Sequence, residues 1–449
     1  MESLIQKYNV PGPRYTSYPT VPFWKNTDLS QSEWINSIQV NFDHFQSNEI
    51  SIYIHLPYCE SLCTFCGCHK RITKNHAVES PYIDAVIQEW KTYLAALNFK
   101  PVIRELHLGG GTPTFFHPSE LKRLISSILS LADLHPNQYE FSFEAHPNNT
   151  TIEHLQTLYD LGFRRLSLGI QDYDPIVQKA INRVQSFEQV EFVHTSAKSI
   201  GYTSISHDLV FGLPKQQLSA IESTIAQTLK LLPDRISLYS YAHVPWVKGV
   251  GQRGFDENDL PKNEEKRELY ETAKTTLENA GYIEVGMDHF ALPNDSLAIA
   301  LKSKQLHRNF MGYTTQNTTM IIGLGMSSIS DSWFGFAQNE KTIENYISRV
   351  TKGELPVFRG HLLTEEELII RRHILDLMCH FETKITDTNF LSSVKKRLYE
   401  MTKDELVTIE GNLLRVTEAG IPFVRNACMA FDLDLIGTEK REGLFSKTV

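Results

Sequence analysis

Four cysteines lie close together in the segment IYIHLPYCESLCTFCGCHK, residues 52–70, although the whole chain of 449 residues has only six. They are Cys59, Cys63, Cys66 and Cys68. Thiolates at such spacings can converge on one metal ion or cluster, and soft sulfur ligands select zinc, copper(I) or iron–sulfur clusters. A disulfide framework is not expected, because the N-terminus shows no secretory signal and cysteines are few.

The spacing Cys-x3-Cys-x2-Cys-x-Cys is compatible with more than one kind of site. Zinc usually takes four ligands, commonly as two pairs separated by a longer insert. The second pair is missing here, because Cys379 and Cys428 stand alone far downstream. Three thiolates on a cubane cluster would leave one iron open for a substrate or cofactor. The spacing therefore favours an iron–sulfur cluster, with a zinc site and a structural role as alternatives.

Polar residues stand at the ends of neighbouring predicted strands. Glu144 ends the third strand, Gln171 ends the fourth, and Asp208 lies within the fifth. A lone carboxylate in a strand is often a satisfied structural group, but three polar groups on successive strands indicate a ligand cleft. The glycines of residues 109–111 end the second strand and permit close backbone approach to a ligand, although a plain turn is the alternative. The pattern is not a phosphate-binding motif.

These candidate residues must be positioned by strands and helices. From residue 51, short β-branched runs alternate with amphipathic segments, which predicts βαβ units and a parallel sheet. We predict strands over residues 51–56, 103–110, 139–145, 164–171, 203–212 and 234–242, and helices over 81–97, 118–131, 151–161, 186–200 and 216–231. Six units, rather than the eight of a closed barrel, fit a partial open barrel or a doubly wound sheet. In both folds the carboxyl ends of the strands carry the site.

The regions on either side of this pattern differ from it. Four prolines exclude a long helix in residues 1–35, which predicts an extended arm that is either a packing strap or a cover for the site. A helix over 262–280 and a strand over 282–291 complete a predicted catalytic domain of residues 36–345. Residues 346–449 are charged and are predicted to form a mostly helical C-terminal domain with a short hairpin.

Composition restricts the class of protein. The chain is 41% hydrophobic and 22% charged, as in ordinary globular proteins. The net charge of −9 argues against a nucleic-acid partner. The chain contains no run of about 18 apolar residues, so we predict no membrane span. We therefore expect a cytoplasmic protein.

Cys59, Cys63 and Cys66, with the aromatic Phe65 before the third cysteine, resemble the radical S-adenosylmethionine (radical SAM) signature. In that superfamily three thiolates hold a 4Fe–4S cluster, whose fourth iron binds the amine and carboxylate of SAM. Reductive cleavage of SAM gives a 5′-deoxyadenosyl radical. The six-unit pattern is similar to the partial (β/α)6 TIM-like barrel of the superfamily, so the resemblance implies that α/β fold.

Almost end to end, the chain resembles the oxygen-independent coproporphyrinogen III oxidase family. The matching blocks are QKYNVPGPRYTSYPT, YIHLPYCESLCTFCGCHK, HLGGGTPT, SLGIQD, LVFGLPKQ, YSYAHVP, GMDHFALP and LHRNFMGYTTQ. The resemblance implies oxidative decarboxylation of two propionates of coproporphyrinogen III to vinyl groups, giving protoporphyrinogen IX. It also implies a flavodoxin-like electron donor, two SAM molecules and a monomeric enzyme. A haem-trafficking relative on the same scaffold and a zinc-stabilised protein without activity are the alternatives.

The resemblance also implies roles for individual positions. Cys59, Cys63 and Cys66 would hold the cluster, and Cys68 would lie beside it without binding iron. The positions expected to bind SAM are Phe65, Gly67, Gly110, Gly111, Thr112, Glu144, Gln171, Arg183, Asp208 and Ala242. Within that set the carboxylate of Asp208 and the amide of Gln171 suit the ribose, Arg183 suits the SAM carboxylate, and Phe65 and Ala242 would flank the adenine. The positions expected near a second SAM molecule or the substrate are Tyr53, Phe310 and Ile329, and with Glu144 and Cys68 they form the expected catalytic set.

Four propionates on the substrate require cations in its pocket. The candidate cations are Arg14, Arg165, His243, His289 and Arg308.

Two parts of the sequence depart from the family pattern. His146-Pro147-Asn148 stands where the family has an Asp-Pro-Arg-like sequence, and Met311 stands where a glutamine is usual. Exchanging glutamine for methionine removes two donors and an acceptor, which bears on the second SAM molecule or the substrate and not on the cluster.

Overall fold

One large sheet organises the chain, as seen in a computed structural model that describes residues 4–25, 29–244, 251–252, 254–436 and 444–448. Its strands, in chain order, are β1 (Glu49–Leu56), β2 (Val102–Gly110), β3 (Glu140–Ala145), β4 (Phe163–Gln171), β5 (Ser204–Phe211), β6 (Arg235–Ser240), β7 (Ile283–Gly286), β8 (His289–Ala291), β9 (Ile321–Leu324), β10 (Ile329–Asp331), β11 (Gly335–Asn339) and β12 (Val357–Leu362). A short strand, Asp133–Leu134, pairs beside β2.

The order of strands across the sheet is β7-β8-β6-β5-β4-β3-β2-β1-β9-β10-β11-β12. The strands from β6 through β1 to β9 are all parallel, and the strands beyond them at both edges pair antiparallel. The first six strands follow one another without the reversal of order that marks a doubly wound sheet. Within the described residues the two edge strands do not pair with each other. The predicted partial, open barrel is therefore confirmed.

Helices follow the parallel strands as predicted. Those of the barrel are Glu79–Ala96, Pro118–Ser130, Ile152–Asp160, Phe187–Ile200, Leu218–Leu231 and Asn263–Asn279. The single strand predicted over 282–291 is wrong, because this segment forms the hairpin of β7 and β8. Asp288 takes a φ of 68° in the turn, and Gly286 leaves room for the ring of Tyr313, so the chain reverses there.

Side chains alternate between the two faces of the strands, and this alternation separates the core from the cavity. Ile50, Ile52 and Ile54 of β1 are fully buried in the core that includes the surrounding helices. The residues between them face inward, where Ser51 bonds Glu105 and the Tyr53 ring stacks on His107. The inner face of the barrel is consequently polar.

The N-terminal arm packs against the C-terminal domain, with only short helical turns at Leu4–Tyr8 and Val21–Phe23. Tyr8, Tyr15 and Tyr18 are buried in the hydrophobic core of that domain. Trp24 stacks on Phe336 of β11, with ring centroids 5.4 Å apart. The arm gives way to helix Gln31–Phe45, which Ser30 caps with its side chain. Of the two predicted roles, the packing strap is the one these contacts support.

The contacts of residue 346 bear on the start of the C-terminal domain. Residue 346 lies inside helix Ile343–Thr351, where the Tyr346 hydroxyl donates to Glu89 at 2.6 Å and ties the helix to the barrel. Strand β12 still belongs to the main sheet. We therefore propose a boundary after Leu362. The main elements beyond it are helices Glu365–His380, Thr388–Arg397, Tyr399–Lys403 and Val424–Met429 and strands Glu382–Lys384, Val407–Glu410 and Leu413–Val416.

Arg425 fastens the arm to the last described residues. Its buried guanidinium donates to the carbonyls of Gly12 at 2.5 Å, Pro13 at 2.8 Å and Thr448 at 3.2 Å. Replacing Arg425 with methionine should lower the free energy of unfolding by about 2–4 kcal/mol, because several buried carbonyls lose their donor. Urea denaturation measures the change, and exposed Arg372→Met is the control, expected within about 0.5 kcal/mol of wild type. Equal stability of the two variants would contradict this role.

Candidate active site

The cysteine loop, residues 57–70, follows β1 at the carboxyl edge of the parallel strands. Cys59, Cys63 and Cys66 are free and partly exposed, and Cys68 is exposed. The sulfur of Cys59 lies 3.3 Å from the Thr112 hydroxyl, and Arg183 donates to the sulfur of Cys63 at 3.6 Å. The loop is thus held by Thr112, just after β2, and by Arg183, which follows the helix Pro175–Ala180.

The thiols of Cys66 and Cys68 are neighbours. A hydrogen bond from Cys68, supported by the charge of Lys70, lowers the pKa of Cys66 to about 6. Lys70 also donates to the Cys66 carbonyl at 3.3 Å. Burial raises the pKa of Cys59 to about 11. The Cys68 thiol and the charge of Lys70 thus favour the thiolate form of Cys66, and the thiolate is the form that binds metal.

The cysteine loop leaves space beside its thiols. Among the described residues, no three His, Cys, Asp or Glu side chains converge closely enough to hold one metal ion. In a cubane each cysteine binds a different iron, so the sulfurs stand apart. A Cβ built on Gly67 would meet nothing within 4 Å, which places Gly67 beside open space.

The glycine turn after β2 packs under the cysteine loop. Gly110 has a φ of 116°, and a Cβ there would lie 2.8 Å from the His55 ring. A Cβ on Gly111 would lie 2.7 Å from the backbone of Pro57. These glycines are therefore required for the strand end to approach the loop. The N–H of Gly110 donates to Glu144 at 3.3 Å.

Glu144 belongs to a chain of polar groups across β1, β2 and β3. Its carboxylate lies 3.6 Å from Nε2 of His107, whose Nδ1 is 2.8 Å from the Ser142 hydroxyl. Tyr53 stacks on His107 with ring centroids 6.0 Å apart, and its hydroxyl lies 3.1 Å from Nδ1 of His55. Burial raises the pKa of Tyr53 well above its usual value. Tyr53 therefore remains a neutral phenol.

Arg183 and Gln171 meet above the end of β4. The Arg183 guanidinium donates to the Gly169 carbonyl, and its Nε has no hydrogen-bond partner among the described residues. A Cβ on Gly169 would lie 2.8 Å from Arg183 and 2.9 Å from Gln171. Gln171 has a φ of 72°, a left-handed conformation that non-glycine residues adopt mainly where the structure enforces it. Both side chains are thus positioned toward one place.

Asp208 on β5 faces the same cleft. It accepts a hydrogen bond from the Ser167 hydroxyl at 2.6 Å. Burial raises its pKa to about 6, and the negative charge of Glu144 contributes to the rise. The carboxylate is therefore ionised at neutral pH, although burial makes its charged form unfavourable. Carboxylates perturbed in this way are typical of ligand-binding sites.

The departure at residues 146–148 has a positioning role in the structure. Nδ1 of His146 accepts from the N–H of Asn148 at 3.2 Å, and the Asn148 side chain donates to the Val184 carbonyl at 2.9 Å. Burial and the charge of Arg183 lower the pKa of His146 to about 3, so the ring is neutral. These residues fix the segment that carries Arg183.

The positions expected near a second SAM molecule lie in two places. The backbone of Ile329 packs on Gly323, which pairs with Tyr53, so Ile329 and Tyr53 are close. Phe310 instead contacts the arm, with its ring 6.3 Å from that of Trp24 and 5.7 Å from that of Phe336.

A polar cavity lies inside the barrel against the inner faces of β2 to β6. The ribbon of His307–Asn309 and Gly312–Thr314 borders it and carries Met311 into its lining. Other lining residues are His107, Glu144, Arg165, Asp208, Tyr239 and His289. The thioether of Met311 offers the cavity an apolar wall where the family pattern has an amide.

The five candidate cations differ in how far they are already neutralised. Arg14 pairs with Asp288 at 3.0 Å, and Arg165 pairs with Glu140. His243 lies 3.4 Å from Glu257, and burial lowers the pKa of His289 to about 4, so that ring is neutral. Arg308 is buried, and its Nε and Nη1 have no hydrogen-bond partner among the described residues.

Two residues of the site were missed by sequence reasoning. His55 touches Tyr53, and its Nε2 lies 2.8 Å from the carbonyl of His69 in the cysteine loop. His107 joins Tyr53 to Glu144. Both occupy inward positions of β1 and β2, so strict alternation of polar and apolar residues could have identified them.

Comparison with known proteins agrees with this geometry. Residues 53–227 match the radical SAM superfamily. The chain is 38% identical to the oxygen-independent coproporphyrinogen III oxidase of Helicobacter pylori strain 26695, over 99% of this chain and 98% of that protein. It is 36% identical to the Escherichia coli K12 protein of the same name, over 96% and 94%. A solved structure of coproporphyrinogen III oxidase from Escherichia coli, described as a radical SAM enzyme, superposes with a TM-score of 0.89 at 34% identity, over 94% of this chain and 98% of that one.

Proposed function

The chain belongs to the oxygen-independent coproporphyrinogen III oxidase family of radical SAM enzymes, and from that premise we propose the reaction and the roles of its residues. The enzyme converts two propionates of coproporphyrinogen III into vinyl groups and forms protoporphyrinogen IX. Each propionate gives a hydrogen atom from its β-carbon to a 5′-deoxyadenosyl radical, and the substrate radical then releases CO2 while one electron passes to a separate one-electron acceptor. The observation that carries the proposal is full-length similarity to relatives of this name, combined with three cysteines held at the mouth of a partial barrel.

The residues of the barrel bind and orient the reactants. A 4Fe–4S cluster on Cys59, Cys63 and Cys66, when bound, supplies the electron that cleaves SAM to 5′-deoxyadenosyl radical. Arg183, with its unpartnered Nε, binds the SAM carboxylate. Asp208 and Gln171 accept and donate hydrogen bonds at the ribose, and Glu144, fixed by Gly110 and His107, faces the reacting end.

An anaerobic assay with coproporphyrinogen III, SAM and a reductant tests the reaction. The expected products are protoporphyrinogen IX, CO2 and 5′-deoxyadenosine. If 5′-deoxyadenosine appears without a divinyl product, the oxidase reaction is wrong and a diverged tetrapyrrole-binding relative takes its place. Iron and sulfide analysis after anaerobic purification tests the cluster, and zinc without iron would contradict it.

We further propose that two SAM molecules serve each substrate molecule, because each decarboxylation consumes one radical. The second would lie near the polar cavity that Met311 and His107 line, with Tyr53 stacked on His107 and Ile329 packed close to Tyr53. Equilibrium dialysis of the reconstituted enzyme should give two SAM molecules per chain, and one per chain would contradict this arrangement.

The rim of the cysteine loop suits an acidic one-electron donor such as a flavodoxin. Burial lowers the pKa of His69, and the positive charges of Lys341, Lys70 and Arg359 lower it further, so three cations surround it. Such a positive rim would attract a negatively charged partner. We also propose that the enzyme is a monomer, and that it is cytoplasmic because six cysteines in 449 residues are few for a disulfide framework. The described helices include none that is long and apolar enough to cross a membrane.

Arg308 is the cation best prepared for a substrate propionate. A buried guanidinium with two unpartnered nitrogens requires an anion or water, and a propionate fits it bidentately. Replacing Arg308 with methionine should raise the KM for coproporphyrinogen III by about 10–100-fold, the loss of one charged hydrogen-bond pair. The dissociation constant for SAM should not change. The matched control is Arg14→Met, because Arg14 is already paired with Asp288 and should affect KM less. An unchanged KM for Arg308→Met would contradict this role.

A further inference from the structure

A short segment, Gly251–Gln252, joins the cysteine loop to the end of β6. Gln252 is 4% exposed, and its Nε2 donates to the carbonyl of Phe65 at 3.1 Å and to the carbonyl of Ala242 at 2.9 Å. Its Oε1 accepts from the N–H of Val244 at 2.7 Å. One buried amide therefore binds the cysteine loop, between Cys63 and Cys66, to the chain that leaves the sixth strand.

Two glycines on either side of Gln252 press the segment onto the cysteine loop. A Cβ on Gly251 would lie 2.8 Å from the carbonyl oxygen of Cys63. A Cβ on Gly254 would lie 2.9 Å from the side chain of Thr64. The approach to Cys63 is to backbone, which cannot move aside as a flexible side chain can, so glycine is required there.

The geometry points to Gln252 as a positioning residue for SAM. Both N–H groups of its amide are used on two carbonyls that belong to different elements, so the amide sets the distance between Phe65 and Ala242. Those two residues are the expected flanks of the adenine. A gap held at the right width binds a planar base without first paying the cost of ordering the loop. This inference rests on the proposed function for the identity of the ligand and on the hydrogen bonds for the role.

Gln252 differs from a merely structural amide in what it joins. Asn41 makes the same kind of bridge, with its buried amide donating to the carbonyls of Thr319 at 3.1 Å and Ser332 at 2.9 Å. Neither of those carbonyls belongs to the cysteine loop or to β6. Asn41→Ala is therefore a matched control that removes an equivalent buried bridge elsewhere in the chain.

The experiment uses anaerobically reconstituted full-length protein carrying Gln252→Ala, Gln252→Met or Asn41→Ala. Gln252→Met keeps the volume and removes the hydrogen bonds. Iron and sulfide content, the thermal midpoint and the dissociation constant for SAM by equilibrium dialysis are measured for each. Both Gln252 variants should keep the iron of the wild type and bind SAM about 10–50-fold more weakly, the loss of two hydrogen bonds. Asn41→Ala should lower the thermal midpoint and leave SAM binding unchanged.

The outcomes separate the role of Gln252 from the reaction itself. SAM binding by both Gln252 variants as tight as in the wild type would overturn the inference, and so would equal weakening in Asn41→Ala. Loss of iron in the Gln252 variants alone would also overturn it, because the segment would then retain the cluster instead of positioning SAM. If the wild type binds SAM but makes no divinyl product, the proposed reaction fails while the role of Gln252 stands.

Discussion

Serine in place of Cys59, Cys63 or Cys66 is expected to abolish the cluster. Each variant, reconstituted anaerobically with iron and sulfide, should lose nearly all bound iron and the visible charge-transfer absorbance, and activity should fall below detection. The physical reason is that a cubane held by three thiolates has one protein ligand for each of three irons. An alcohol is a much harder and less acidic ligand than a thiol, so serine does not replace it.

Cys68 and Cys379 provide the controls for this prediction. Cys68→Ser should retain the iron content of the wild type, although Cys68 adjoins Cys66 and can affect the rate. Cys379 lies buried in the helix Glu365–His380, and Cys379→Ser tests whether losing any thiol lowers the yield of cluster. Iron loss in Cys68→Ser as large as in the other three would indicate four sulfur ligands. That result would contradict the three-cysteine site and the open iron that it leaves for SAM.

The parallel half of the fold could be predicted because two local signals agreed. Buried residues such as Ile52 and Ile54 alternate with inward polar residues in β1, and the helices between strands carry one apolar face. The helices also begin after N-capping residues, such as Thr151 and Ser186. Each unit then packs on its neighbour in chain order, so local prediction was enough to give the topology.

The other half could not be predicted in the same way. Strands β9 to β12 are short, and β9 pairs with β1 across more than 260 positions of sequence, as in the pairing of Tyr53 with Gly323. No local pattern specifies such a partner. The turn at Asp288 depends on the space that Gly286 leaves for Tyr313, which is a tertiary contact. The later domain boundary that we propose depends on a contact of the same kind, since Tyr346 is tied to Glu89 of a distant helix.

The site, like the fold, could be predicted from the sequence only in part. The spacing and types of the cysteines pointed to a cluster, and Glu144, Gln171 and Asp208 stand where parallel strand ends must bring them together. The neutral state of His146 and His289 could not be read from the sequence, because burial sets it. The bridge made by Gln252 also lay beyond sequence reasoning, since its partners are backbone carbonyls 187 and 10 positions away.

Asp208→Asn should weaken SAM binding while stabilising the fold. The ionised carboxylate can accept hydrogen bonds from both ribose hydroxyls, and losing a charged acceptor should raise the dissociation constant for SAM about 10–100-fold. Burial raises the pKa of Asp208 to about 6, so SAM binding by the wild type should weaken as pH falls through that value. Binding by the asparagine variant should lack this pH dependence, and equilibrium dialysis between about pH 5 and 8 measures it.

Asp208→Asn should raise the stability of the fold although it weakens SAM binding. This follows from the direction in which folding shifts the pKa of Asp208. A carboxyl whose pKa is raised on folding contributes most to stability below its unfolded pKa, and the contribution is lost as pH rises through about 6. At pH 8 the wild type therefore bears the cost of a buried charge, and Asp208→Asn should be more stable by on the order of 1 kcal/mol.

The control is Asp432→Asn in the C-terminal domain, where burial also raises the pKa to about 6. It should leave SAM binding unchanged, because Asp432 accepts from Tyr15 of the arm and lies outside the cleft. Equal loss of SAM affinity in both variants would mean that Asp208 acts through the fold and not through the ribose.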